Sequence, residues 1–146
     1  VLSFGIVSEL YGILKPEDQL TIAKVYNLDP ETLITYLQLL SNFRNLCAHE
    51  DILYDHRTQR SIPNCKYHVI LNIEKDDDEY KYGKNDLFAL IIIMKEMLTK
   101  DEFNDVLYQI GYEIDILDGK IDTVPLNAIL NKIGFPDNFR EIQNIE

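Results

Sequence analysis

From Glu31 to His49 the chain carries neither glycine nor proline, and its apolar residues return every three or four positions. That pattern specifies one long amphipathic helix. Asp29 is placed to cap it, Pro30 fits the first turn, and Glu31 complements the positive end of the helix dipole. A helix this long must bury a face, and the rest of the chain offers partners of the same kind. Ser3 to Leu14 reads as a first helix with Phe4, Val7, Leu10, Tyr11 and Leu14 on one side. Pro16-Glu17-Asp18 opens a second, running to about Tyr26. Asn85-Asp86 precedes a helix over Leu87–Leu98, and Thr99-Lys100-Asp101-Glu102 matches a capping box. Behind that box Phe103, Val106, Leu107, Ile110, Ile114 and Leu117 share a face. Thr123 and Pro125 start a last short helix that Gly134 ends. Residues 50–66 read as a loop, Tyr67–Ile73 as a short strand or extended connection, and the acid-rich 74–83 as a solvated loop. The fold class expected is all-α: one helical domain over 1–146, whose longest and most buried helix ends near His49.

The 146 residues, 46% hydrophobic, suffice for a single core. The longest apolar run, Leu87 to Met94, is far too short to cross a bilayer. No basic leader segment opens the chain, so a cytoplasmic protein with no membrane partner is expected. Beginning at Val1 in mid-pattern, the sequence reads as the C-terminal part of a longer protein. Cys47 and Cys65 make a poor disulfide framework and read as reduced thiols. Cys47-x-His49 and Cys65-x-x-His68 could supply metal ligands, but Cys47 falls on an apolar helical stripe and C-x-H is not a usual zinc spacing. The reading is therefore no metal and no cofactor.

A net charge of −11 excludes broad, nonspecific nucleic-acid binding, which depends on phosphate neutralisation. The charge is uneven, however. Arg44, Arg57, Arg60 and Lys66 outnumber Glu50, Asp51 and Asp55 between residues 44 and 68, a segment that also holds all three histidines, His49, His56 and His68. A local phosphate site fits there, with His56, Arg57, Arg60, Lys66 and His68 as candidates; a basic stripe does not.

On a helical wheel at about 100° per residue, Leu33, Leu37, Leu40 and Cys47 cluster within roughly 80°, with Phe43 at the edge and Arg44 inside the arc. A guanidinium among core leucines must be paired or open into a cavity. Opposite, Gln38, Ser41, Asn42, Asn45 and His49 form a polar sector without permanent charge, and Leu39 and Leu46 line the remaining side. Such a helix suits a central position with a polar cleft or partner along one edge. Arg44, Asn45 and His49 form a kit for phosphodiester chemistry: imidazole moves protons near neutral pH, and guanidinium holds a phosphate and its developing charge. The bland alternative is that Arg44 pairs with a buried acid and His49 caps the helix end.

Phe43-Arg44-Asn45-Leu46-Cys47-Ala48-His49 resembles the "LRNxCAH" segment of the bacterial abortive-infection (Abi-like) proteins of the HEPN superfamily. Leu2-Ser3-Phe4-Gly5 with Leu10-Tyr11 resembles their "SFG…LY" opening. Leu53-Tyr54-Asp55 and Arg60-Ser61-Ile62-Pro63 resemble the stretch after the motif histidine, and Gly134-Phe135-Pro136-Asp137-Asn138-Phe139 resembles their closing "GFPxxW". The resemblance implies a HEPN-like helical bundle, usually a homodimer, with R-x(4–6)-H as the motif of a metal-independent endoribonuclease. Two copies would face one another to form a composite site. Arg44 and His49 then become the catalytic candidates and Asn45 their polar companion. Ile52 stands where many relatives have a basic residue, and Phe139 where Trp is usual. Full-length relatives also carry a region before the "SFG" segment.

Two functional readings follow. The first is an RNA-cleaving effector of phage defence. The second is a non-catalytic HEPN module that holds a non-coding RNA or a neutralising partner. DNA is not expected as a substrate, since it lacks the 2′-hydroxyl. The sequence also lacks carboxylates converging from different elements, as a two-metal nuclease would need; Asp76, Asp77 and Asp78 are merely consecutive.

Overall fold

A computed structural model describes residues 3–146; Leu2, part of the quoted opening, lies outside the described residues. The chain is mostly helical, and the elements follow the punctuation of the sequence closely. Helix α1 covers Phe4–Ile13, with the Ser3 hydroxyl accepting from the Ile6 amide. Helix α2 covers Pro16–Val25, and α3 covers Pro30–Ala48 with the Asp29 carboxylate accepting from the Thr32 amide. Helix α5 spans Leu87–Met97, α6 spans Lys100–Asp118 behind the Thr99–Glu102 capping box, and α7 spans Leu126–Ile133. A 3-10 helix over Phe139–Asn144 follows, which the periodicity did not signal.

The segment at 66–73 is helical rather than extended: α4 covers Lys66–Ile70. Val69 and Ile70 bias it locally toward a strand. What starts the helix instead is His68, whose Nδ1 accepts from the Cys65 amide at 3.1 Å and so satisfies a free N-terminal donor. The acid-rich segment contains a minimal hairpin, β1 (Lys75–Asp76) antiparallel to β2 (Glu79–Tyr80), with Lys75 opposite Tyr80. Its two-residue turn holds Asp77 and Asp78 at φ 45° and 69°, as a twisted hairpin requires.

The main core is not centred on α3. Helix α5 is its most buried element, with Phe88, Ala89, Ile91, Ile92 and Ile93 enclosed. Around it pack Tyr36, Leu39 and Phe43 from α3, Phe103 and Leu107 from α6, and Phe135, Phe139 and Ile142 from the C-terminal segment. A second cluster joins Tyr11, Ala23 and Leu33, tying α1 and α2 to the first half of α3. Helix α1 differs from expectation. It buries Ser8 and Tyr11, while Val7 and Leu10 face solvent beside Ile6 and Ile13. Gly5 lies on the side that meets α3, where a Cβ would sit 3.4 Å from the Ser41 hydroxyl. A helix that is apolar nearly all round does not announce which stripe it will bury, and close approach at small residues decides it. Among the described residues no helix is long and apolar enough to cross a membrane.

Candidate Arg–His site

The buried face of α3 lies roughly 70° round from the arc of Leu33, Leu37, Leu40 and Cys47. Leu33, Tyr36, Leu39 and Phe43 are enclosed, whereas Cys47 is exposed. Arg44 therefore does not sit among core leucines. It is exposed, near the end of a helix whose last turn projects past the packed core. Tyr36 is what shifts the face: its ring carries more apolar area than Leu37 or Leu40 and turns the helix toward α5. Burial, with the nearby Cys65 and Glu96, pushes the Tyr36 hydroxyl well above its ordinary value, so it stays neutral.

Arg44, Asn45 and His49 all lie at the exposed C-terminal end of α3. The Arg44 Nη1 donates to Asn45 Oδ1 at 3.2 Å. His49 is the C-cap residue; its amide donates to the Asn45 carbonyl at 3.0 Å, which fixes the backbone beneath its ring. Glu50 then turns the chain out of the helix at φ 55°. The expectation of one free polar sector is narrowed. Ser41 lies against α1, and Asn42 Oδ1 is 2.7 Å from His56 Nε2. The Gln38 side-chain oxygen is buried without a partner, beside a cavity of about 180 Å³ that Asn42, Thr58 and Arg60 also line. Arg44, Asn45 and His49 remain outward.

The five phosphate candidates separate. His56 packs edge-on to Phe43, with ring centroids 5.6 Å apart, so it anchors its loop to α3. Arg57 bonds the His56 and Lys132 carbonyls at 3.0 and 2.9 Å, fastening the same loop to α7. Arg60 stays exposed. Lys66 binds the main-chain oxygen of Glu146 at 2.7 Å and lies 3.9 Å from Glu96. His68 corrects the sequence reading: it is fully buried and cannot reach a phosphate. Its Nδ1 accepts from the Cys65 amide, its Nε2 donates to the Gly83 carbonyl at 2.9 Å, and its ring stacks on Tyr80. Burial holds its pKa below the ordinary histidine value, and burial raises that of the Cys65 thiol 3.1 Å away. A neutral imidazole beside a neutral thiol is a structural pair, not an activated nucleophile.

A carboxylate that spacing did not single out completes this node. Asp86 is 1% exposed, caps α5 through the Ala89 amide, and accepts from the Gly83 amide at 3.0–3.1 Å. Burial pushes its pKa up to about 6.

Comparison with known proteins gives one finding. A family model described as Abi-like protein matches residues 1–55, which hold α1, α2, α3 and the Arg44–His49 segment. That is just over a third of the chain and stops short of the similarities at residues 60–63 and 134–139. No curated protein and no solved structure gives a significant match.

Proposed function

We propose that this chain is an RNA-cleaving effector of abortive infection, a HEPN-type, metal-independent endoribonuclease acting in the cytoplasm as a homodimer. The observation that carries the reading is the exposed cluster of Arg44, Asn45 and His49, lying inside the segment that matches the Abi-like model. An arginine and a histidine with free polar atoms at a helix end can approach a phosphodiester, which a buried pair cannot.

In this reading the RNA supplies its own nucleophile. The 2′-hydroxyl attacks the adjacent phosphorus and the P–O5′ bond breaks. His49 takes up or delivers the proton, while Arg44 stabilises the charge of the phosphorane. The products are a 2′,3′-cyclic phosphate and a 5′-hydroxyl. Asn45 orients the guanidinium through the hydrogen bond already present. Residues 44 and 49 stand about 140° apart on an ideal helix, so a composite site would draw the arginine of one copy toward the histidine of another. The same divergence favours the second reading, a module that holds RNA or a neutralising partner without cutting it.

The test is cleavage of labelled RNA by the full-length protein in excess EDTA, with analysis of the fragment ends. Cyclic-phosphate and 5′-hydroxyl termini are expected, with His49→Ala and Arg44→Ala each losing at least about 100-fold in rate. Arg44→Lys should stay impaired, because an ammonium cannot reproduce the planar two-pronged contact. Activity that needs Mg²⁺, or products with 5′-phosphates, would overturn the mechanism. RNA binding without cleavage would establish the second reading.

A further inference from the structure

Away from the Arg–His end, a cavity of about 550 Å³ opens where the α2–α3 turn, α4, the α5–α6 corner and the C-terminal 3-10 helix meet. It lies beside Asn27, at the start of α3. Arg44 lies 14 residues along α3 from Pro30, which at about 1.5 Å per residue puts it about 21 Å from that end of the helix. Three lysines of this acidic protein line it: Lys66, Lys95 and Lys100. Glu96 and Glu146 are the acids on the wall. Glu96 lies 3.9 Å from Lys66 and is also close enough to help hold the Tyr67 hydroxyl neutral. Lys95 donates to the Gln143 carbonyl at 3.2 Å and lies over the Phe103 ring. Desolvation lowers its pKa first, the nearby charges of Lys100 and Lys66 lower it further, and Glu96 opposes them, in keeping with three ammonium groups that line one cavity. Lys100 makes no hydrogen bond or ion pair among the described residues.

These groups have capacity to spare. An ammonium has three donors. Lys95 uses one and Lys100 none, and among the described residues neither is ion-paired, Glu96 lying nearest Lys66, so a concave wall presents free N–H groups. A complementary deficit lies in the same cavity: the Asn104 side-chain oxygen is buried without a partner and calls for a donor. Asn27, Gln143 and Asn144 add further amides, and Val25 and Leu98 add an apolar edge. The volume falls within the range of small-molecule sites.

We infer that this cavity binds a small phosphorylated ligand that also carries a hydroxyl or amino donor, as nucleotides and sugar phosphates do. The phosphate sits on Lys95 and Lys100 with Lys66 behind them, and the donor satisfies Asn104. The inference stands on these residues alone and does not depend on the reading of Arg44 and His49.

Titration of the full-length protein, followed by amide chemical shifts and by calorimetry, separates the outcomes. The probes are AMP, ribose 5-phosphate, adenosine and inorganic phosphate. Millimolar or tighter binding of AMP or ribose 5-phosphate is expected, with shifts at Lys95, Lys100 and Asn104. AMP alone identifies a nucleotide site; equal binding of both identifies the phosphate and hydroxyls as what is read. Because Lys100 is exposed and unpartnered, Lys100→Ala should fold like the parent. It should bind about tenfold more weakly, the worth of one charge-assisted hydrogen bond, and Lys100→Arg should recover most of the loss. Asn104→Leu should weaken AMP but not inorganic phosphate. Adenosine binding as tightly as AMP, no binding of any phosphorylated probe at 5 mM, or Lys100→Ala binding unchanged would each overturn the proposal.

Discussion

The chain contains two short cysteine–histidine pairs, and the fold treats them in opposite ways. Cys47 and His49 sit at the exposed end of α3. Cys65 and His68 begin α4, where the imidazole is fully buried and both its nitrogens are spoken for. One histidine is free to meet a ligand and the other is a structural bolt. The bolt belongs to a larger node in which the Gly83 peptide is gripped from both sides, its carbonyl by His68 and its amide by Asp86. Gly83 itself is held at φ +77°, and a Cβ on it would fall 2.9 Å from Ile92 Cδ1. Residue type and local spacing do not distinguish an open histidine from a joint. The number of unsatisfied polar atoms does.

The largest effect should come from exchanging the two roles. His49→Ala should abolish RNA cleavage, the loss of at least about 100-fold expected above, with the thermal midpoint unchanged. His68→Ala should do the reverse. It leaves the Gly83 carbonyl and Cys65 amide unpaired beside a new cavity, at a cost of about 2–4 kcal/mol, while activity per folded molecule stays intact. Chemical denaturation and single-turnover cleavage of both variants decide the matter. A His68→Ala protein as stable as the parent would dissolve the comparison.

A smaller effect is expected at the far wall of the node. Gly134 ends α7 at φ +95°, and a Cβ there would lie 2.5 Å from Cβ and Cγ of Asp86. Gly134→Ala must strain the backbone and push the carboxylate out of its cap, for about 2–3 kcal/mol of lost stability. Replacing Gly12, whose added Cβ would meet nothing within 4 Å, should cost nothing by comparison.

The smallest effect is in pH dependence, where the node's two titrating groups act with opposite signs. The folded-state pKa of His68 is lowered, so the unfolded chain binds more protons, and stability falls as pH drops through the ordinary histidine range. The folded-state pKa of Asp86 is raised to about 6, so the folded chain binds more protons between pH ~4 and ~6, and stability there grows as pH falls. Urea midpoints should therefore decline from pH 7.5 to 6 and then level off. His68→Ala should lose the decline. Carbon-detected NMR should find the Asp86 carboxyl titrating near pH 6. A midpoint near 4 would mean the carboxylate is solvated and the node open.

Most helix boundaries were legible in the sequence because the devices that set them are local. Asp29 and Thr99 cap through atoms within three residues, Pro16 and Pro30 open first turns, and Gly134 adopts the left-handed conformation that stops α7. The outward trio Arg44, Asn45 and His49 was legible as a motif for the same reason, being contained within two helical turns. Which face of each helix is buried was settled only in three dimensions. Arg44 was expected among leucines and is exposed, since Tyr36 and Phe43 dock on α5 and turn α3 about its axis. Val7 and Leu10 were expected inside and face water, since Gly5 and Ser8 let α1 lie close to α3. His68 looked like a phosphate ligand and became a joint only because Gly83, fifteen residues on, supplies the carbonyl for its second nitrogen. The lysine cavity had no sequence signature, as Lys66 comes from α4 while Lys95 and Lys100 flank the α5–α6 corner. Hydrogen bonds reaching three or four residues are written in the order of the chain; burial and convergence depend on partners dozens of residues away, and only packing brings those together.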